Sequence, residues 1–165
     1  MAGNVSVLLP SARKTSFSAA KKGKVGYRHY RREEFRAEYP GGWKAFYIEG
    51  LEAARAHLKT LKPTYKRNSK RVIEYAMLKA DHPLTATIII LPEFRELFAE
   101  TLGEQLFIVV PSRDTVMVFP KLATSMPDYT EVLTDLYKDA IYPGSAEIFE
   151  VTKDGFRVYG AFSPD

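Results

Sequence analysis

The sequence predicts an α+β fold, one mostly antiparallel sheet of about six strands with helices on one face. Three observations lead there. Runs of alternating or β-branched residues recur in pairs, divided by turn signals such as Lys153-Asp154-Gly155. Amphipathic stretches with apolar residues at i, i+4 and i+7 fall between the pairs. The resulting order is helix–strand–strand, repeated three times.

Residues 1–24 read as a basic, weakly structured arm, with Val5, Val7 and Leu9 alternating as a short edge strand. Residues 25–165 read as a single domain. Val25 to Tyr30 alternates as a strand, and Arg31 to Glu38 follows as a helical turn closed by Tyr39-Pro40-Gly41-Gly42. An amphipathic helix over 45–62 buries Tyr47, Leu51, Ala54, Leu58 and Leu61 and stops at Pro63. Gly50 lies inside it, at a cost of about 1 kcal/mol relative to Ala, which argues for a later start.

Residues 71–79 and 84–91 are predicted to pair as strands across Asp81-His82-Pro83, the second rich in β-branched residues. A helix over Pro92 to Leu102 has proline in its first turn and Gly103 after its last. Leu106–Val110 and Thr115–Phe119 form a hairpin. A third helix covers Asp128 to Ile141, ended by Pro143-Gly144, and Glu147–Val151 pairs with Phe156–Phe162. The helix starts Leu91-Pro92-Glu93-Phe94 and Met126-Pro127-Asp128-Tyr129 are alike. Either an αββ duplication or shared capping chemistry accounts for that.

Residues 102–161 resemble the bacterial DUF1444 family of unknown function, also described as YtpQ-like. The resemblance rests on Phe107–Phe119, the following helix and Tyr142–Gly160, with Pro111, Asp114, Pro143, Gly144 and Phe149 at its marked positions. It implies an α+β fold and a bacterial cytoplasmic origin, and it brings no activity.

No cysteine is present, which excludes disulfides, thiolate metal sites and a cysteine nucleophile. The longest apolar run, 86–92, is too short to span a bilayer. No basic residue precedes the apolar patch Val5 to Pro10, so a soluble cytoplasmic protein without a membrane partner is expected. Neither a phosphate-cradling loop nor a Gly-x-Ser-x-Gly elbow occurs, and His29, His57 and His82 lack ligand spacing. No cofactor or metal is therefore predicted. Ser112 beside Arg113 and Asp114 reads as turn chemistry, with Asp114 accepting backbone N–H bonds. Glu93 and Glu96 read as helix-start electrostatics rather than a catalytic pair.

The charge distribution is the informative feature. Residues 1–71 carry 17 Lys and Arg against 5 Asp and Glu, whereas 72–165 carry 7 against 15, within a net charge of +4. Lys21, Lys22, Lys24, Arg28, Arg31, Arg32 and Arg36 alternate with Tyr27, Tyr30, Phe35, Tyr39 and Trp43. Lys62, Lys66, Arg67, Lys70 and Arg71 form a second cluster. Such residues suit three roles. They dock a protein partner or a second copy as a non-enzymatic interaction module. They neutralise phosphates while the rings stack bases of a nucleic acid. Or they pair with the acidic half of the same chain. An enzyme whose site is assembled from distant residues is the remaining alternative.

Overall fold

The computed structural model describes residues 5–123 and 125–162, so the first four residues of the expected arm lie outside it. The chain divides into two compact units, Met1–Ala53 and Ala54–Asp165, where the sequence predicts an arm and one domain.

In the first unit, strands replace the weakly structured arm. β1 (Ser6–Leu8) pairs antiparallel with β2 (Ser16–Ser18), and β3 (Ala20–Lys22) with β4 (Tyr27–His29). β1 and β4 fall within the alternating stretches that the sequence marks, whereas β2 and β3, three residues each, have no apolar period and are made strands by pairing alone. At the β3–β4 turn Gly23 N–H donates to the Gly26 carbonyl at 2.7 Å, with Gly26 at φ 71°. α1 (Arg32–Glu38) follows as predicted and stops at Tyr39, whose N–H donates to the Phe35 carbonyl. Gly42, at φ 75°, turns the chain into α2 (Trp43–Leu58).

α2 begins earlier than predicted, because Trp43 and Phe46 on its first turns join an aromatic core. That core holds Ala19, Tyr30 and Phe35, with Val5, Tyr39, Trp43 and Phe46 packed against them. The Tyr30 ring meets Phe35, Tyr39 and Phe46 edge-on, with centroids 5.6, 6.1 and 6.0 Å apart. Each such pair contributes roughly 0.5–1.5 kcal/mol beyond area burial. α2 ends at Leu58, short of 62, where the N–H groups of Thr60 and Leu61 close a turn on the His57 and Leu58 carbonyls.

The second unit is an antiparallel six-stranded sheet, and the protein is α+β, as predicted. Its strands are β5 (Thr64–Arg67), β6 (Ile73–Lys79), β7 (Leu106–Ser112), β8 (Thr115–Pro120), β9 (Glu147–Thr152) and β10 (Gly155–Ala161), in the order β10-β9-β7-β8-β6-β5. The predicted strand over 84–91 is instead α3 (Leu84–Thr87) and a 3-10 turn (Ile88–Ile90). β6 already has β5 and β8 on its two sides, so no ladder position remains for it. Local bonds favour the helix. His82 Nδ1 accepts the Leu84 N–H at 3.1 Å, and Thr85 Oγ1 donates to the Ala80 carbonyl at 3.1 Å. Ile88 and Ile89 are buried there, and burial outweighs their β-propensity.

α4 (Pro92–Leu102) has its predicted bounds, with Gly103 at φ 90°. α5 (Thr130–Asp139) is preceded by a 3-10 turn (Met126–Tyr129). α5 lies against β7 and α3 against β8. Coverage of the sheet goes beyond the single helical layer that the sequence predicts. Phe107, Val109, Met117, Phe119 and Ile148 cluster with Met126 and Leu133 on one side. Leu106, Ile108, Val116, Val118 and Phe149 alternate to the other side and are equally buried. Fully burying side chains of this kind stabilises by roughly 1.5–3 kcal/mol each.

Two carboxylates sit among them, Glu147 and Glu150, both on β9. Glu150 is 2% exposed, between Lys121 Nζ at 3.1 Å and Arg157 Nη2 at 3.0 Å. Burial pushes its carboxyl up, and the bonds from Lys121 and Arg157 outweigh that and hold it below the usual range. Among the described residues no helix is long and apolar enough to cross a membrane.

Candidate interaction surface

In the first unit Lys21 and Arg28 are cross-strand partners on β3 and β4, so they share one face of the hairpin. α1 presents Glu34 and Glu38 to that face, four residues apart and therefore adjacent. Arg28 clamps Glu34 with both terminal nitrogens, Nη1 to Oε2 at 2.8 Å and Nη2 to Oε1 at 2.5 Å. Lys21 pairs with Glu34 at 2.7 Å and with Glu38. Tyr30 OH donates to Glu38 Oε2 at 2.7 Å, and Lys21 Nζ stands 5.1 Å from the Tyr30 ring centroid.

The electrostatics follow from these bonds. Arg28, then Lys21, lowers the Glu34 carboxyl to about 2. Lys21, then Tyr30, holds Glu38 below its ordinary range. Glu34 raises both Lys21 and Arg28. Burial, reinforced by Glu38, raises the Tyr30 phenol strongly.

The aromatic residues that alternate with the cations are thus mostly consumed. Tyr30 is 4% exposed, and Phe35, Tyr39 and Trp43 belong to the core. Only Tyr27 keeps an exposed ring, 43% accessible, opposite Lys22 on the hairpin's other face. Lys22, Lys24, Arg31, Arg32 and Arg36 are exposed and form no ion pair among the described residues. Arg32 and Arg36, four apart, share one face of α1.

The sequence predicts that the cations either stay open or pair with the acidic half. Lys21 and Arg28 do neither, because their partners are Glu34 and Glu38 of their own segment. The i, i+4 spacing of those glutamates was the available signal.

The second cluster lies at the sheet edge. Lys66 and Arg67 are on β5, with a bulge between them, and Lys70 and Arg71 are in the loop to β6. Asn68 Oδ1 accepts the N–H groups of Lys70 and Val72, at 2.9 and 3.0 Å. Arg67 Nη1 donates to the Arg71 carbonyl at 3.0 Å, and Arg71 stands at φ 62°. No carboxylate pairs with these cations among the described residues.

No family model, curated protein or solved structure matches this chain.

The other candidate groups resolve locally. His57 stacks on His82 with centroids 4.4 Å apart, and its Nε2 lies 2.9 Å from the Oγ1 of fully buried Thr85. His29 is exposed on β4. Asp114 accepts the Ala80 N–H at 3.0 Å through its main-chain carbonyl, its own N–H donates to Ser112 Oγ at 3.3 Å, and its carboxylate accepts from Arg113 Nε at 3.0 Å. Arg113 also reaches Asp81 at 3.2 Å and stacks 3.9 Å over Tyr142. Glu93 pairs with Arg55 at 2.8 Å.

A groove of about 440 Å³ runs between α4 and the β9–β10 turn, with Ile90, Ala99, Val151 and Phe156 as apolar lining and Arg95, Glu96, Glu104 and Lys153 as charged members. Arg95 Nε already donates to the Glu104 carbonyl at 3.1 Å, and neither His57 nor His82 lines the groove. Among the described residues no three His, Cys, Asp or Glu side chains could hold a metal ion.

Proposed function

We propose that this chain is a non-enzymatic interaction module whose first unit docks an acidic protein surface through Lys22, Lys24, Arg31, Arg32 and Arg36. One observation carries the reading. Among the described residues, exposed Lys22 and Lys24 on the β3–β4 hairpin and Arg31, Arg32 and Arg36 at α1 form no ion pair, while Lys21 and Arg28, on the inner side of the hairpin, are neutralised by Glu34 and Glu38. The inner pairs fix the hairpin on α1, and the outer cations are held out on a braced scaffold, where electrostatic complementarity raises association rates and selects partners.

Burial of Tyr30, Phe35, Tyr39 and Trp43 speaks against a nucleic-acid platform, because bases need exposed ring faces. The likeness of residues 102–161 to DUF1444 belongs to the same proposal and adds no activity to it.

A salt titration tests this with two probes, a Glu- and Asp-rich peptide and a random single-stranded oligonucleotide. The peptide is expected to bind at low salt and to weaken as salt screens exposed charge. Arg32→Ala with Arg36→Ala is expected to weaken it further. No peptide binding at low salt, or tighter oligonucleotide binding that survives loss of Tyr27, would overturn the reading.

A further inference from the structure

Two surfaces of opposite charge stand side by side on the second unit. α5 turns Leu133 and Tyr137 toward the core. Beside that core stripe, toward solvent, it carries Val132 and Leu136, 49% and 41% exposed. Glu131, Asp135 and Asp139 flank them at i, i+4 and i+8. Like charges at that spacing repel, and the last two sit near the negative end of the helix dipole, with Lys138 as the helix's own cation. None of the three carboxylates forms an ion pair among the described residues.

The β5–β6 hairpin carries the complement: Lys66, Lys70 and Arg71 around Val72, which is 52% exposed. Lys66 pairs with Tyr75, whose ring packs against the cluster on the α5 side of the sheet, so both residues project to that side. Ser125 and Tyr129, leading into α5, donate to the Glu74 carbonyl at 2.9 Å and carboxylate at 2.5 Å, just beyond the hairpin. Acidic helix and basic hairpin are therefore neighbours that do not neutralise each other.

Adjacent patches of opposite sign, each with an apolar centre, are self-complementary. A two-fold rotation sets each against its opposite. We propose that this side of the second unit pairs with a second copy of the chain, the α5 face of each against the β5–β6 hairpin of the other. The cations of the first unit take no part, so this stands or falls apart from the docking of an acidic partner.

The mass of the full chain by sedimentation, at low and high salt, tests it. The wild type is expected to dimerise at low salt and dissociate as salt rises. Lys66→Glu with Lys70→Glu, and separately Glu131→Lys with Asp135→Lys, should each raise the dimer dissociation constant roughly tenfold or more. All four substitutions together keep the net charge and should restore the dimer. Arg32→Ala with Arg36→Ala should leave it unchanged. A wild type that stays monomeric at low salt would overturn the proposal. So would a dimer indifferent to both reversals, or a four-fold variant that fails to recover while its circular dichroism stays native.

Discussion

His57 shows how one side chain sets a pH dependence. Burial first, and then the neighbouring His82, lower its pKa. The unfolded chain therefore holds the His57 proton at pH values where the folded chain has released it. The stability this group contributes is complete above about pH 6.5, the ordinary histidine value, and is lost as pH falls through the lowered folded value. Urea midpoints measured from pH 7.5 down to 5 should fall in the wild type and fall less in His57→Gln.

Glu34 acts in a more acidic window. Its pKa near 2 means that its contribution is present above the ordinary Glu range and disappears as pH drops toward 2. Trp43, the single tryptophan, packs in the first unit's core, so its fluorescence reports that unit. Glu34→Gln should flatten the acid limb of that signal.

Among the elements, the stretch 106–120 and α4 were legible because their signals are local. Pro92 and Gly103 bracket the helix, and two apolar runs bracket a turn, which the pairing of Ser112 with Thr115 tightens from the expected four residues to Arg113 and Asp114. The run 84–91 was misread because its β-branched residues serve burial rather than a ladder. β5 was read only as a patch of cations, for Tyr65 is its sole half-buried apolar residue and its identity comes from β6. The clamp on Lys21 and Arg28 was only half legible: Glu34 and Glu38 are spaced to share a helix face, but they lie 6 to 17 residues from their cations and are brought close by a hairpin of which the sequence marks β4 and not β3.

Gly144 is a further element-scale case. The sequence marks it as a helix stop, whereas the structure runs it against β7. A Cβ there would lie 2.2 Å from the Val110 carbonyl oxygen, while the Gly144 N–H donates to Pro111 and the Ser145 N–H to Val110. Backbone cannot yield as a flexible side chain does. Gly144→Ala should destabilise by about 1–3 kcal/mol in urea unfolding, the usual scale of overpacking.

For the whole molecule, the charge asymmetry was legible and its disposition was not. Counting residues shows a basic front and an acidic back. It does not show that two front cations satisfy themselves within a 53-residue unit, or that the carboxylates of α5 remain open. The two units also differ in what holds them. The first has three buried apolar residues at its aromatic centre, and the second has central strands buried on both sides. Hydrogen exchange should therefore be slowest at β7 and β8 and orders of magnitude faster in β1–β4. Equal protection in both would contradict this.

A strand that is greasy above and below loses the alternation by which an ordinary half-wet strand finds its alignment, since slipping by one position still meets oil. In β9 the tethered Glu150 supplies an index mark, for a one-step slide would carry its charge to the side away from Lys121 and Arg157. Glu150→Leu should remove the mark on that side and leave only buried Glu147 at the start of the strand, and amide spectra of β9 should then show doubled peaks from two coexisting alignments.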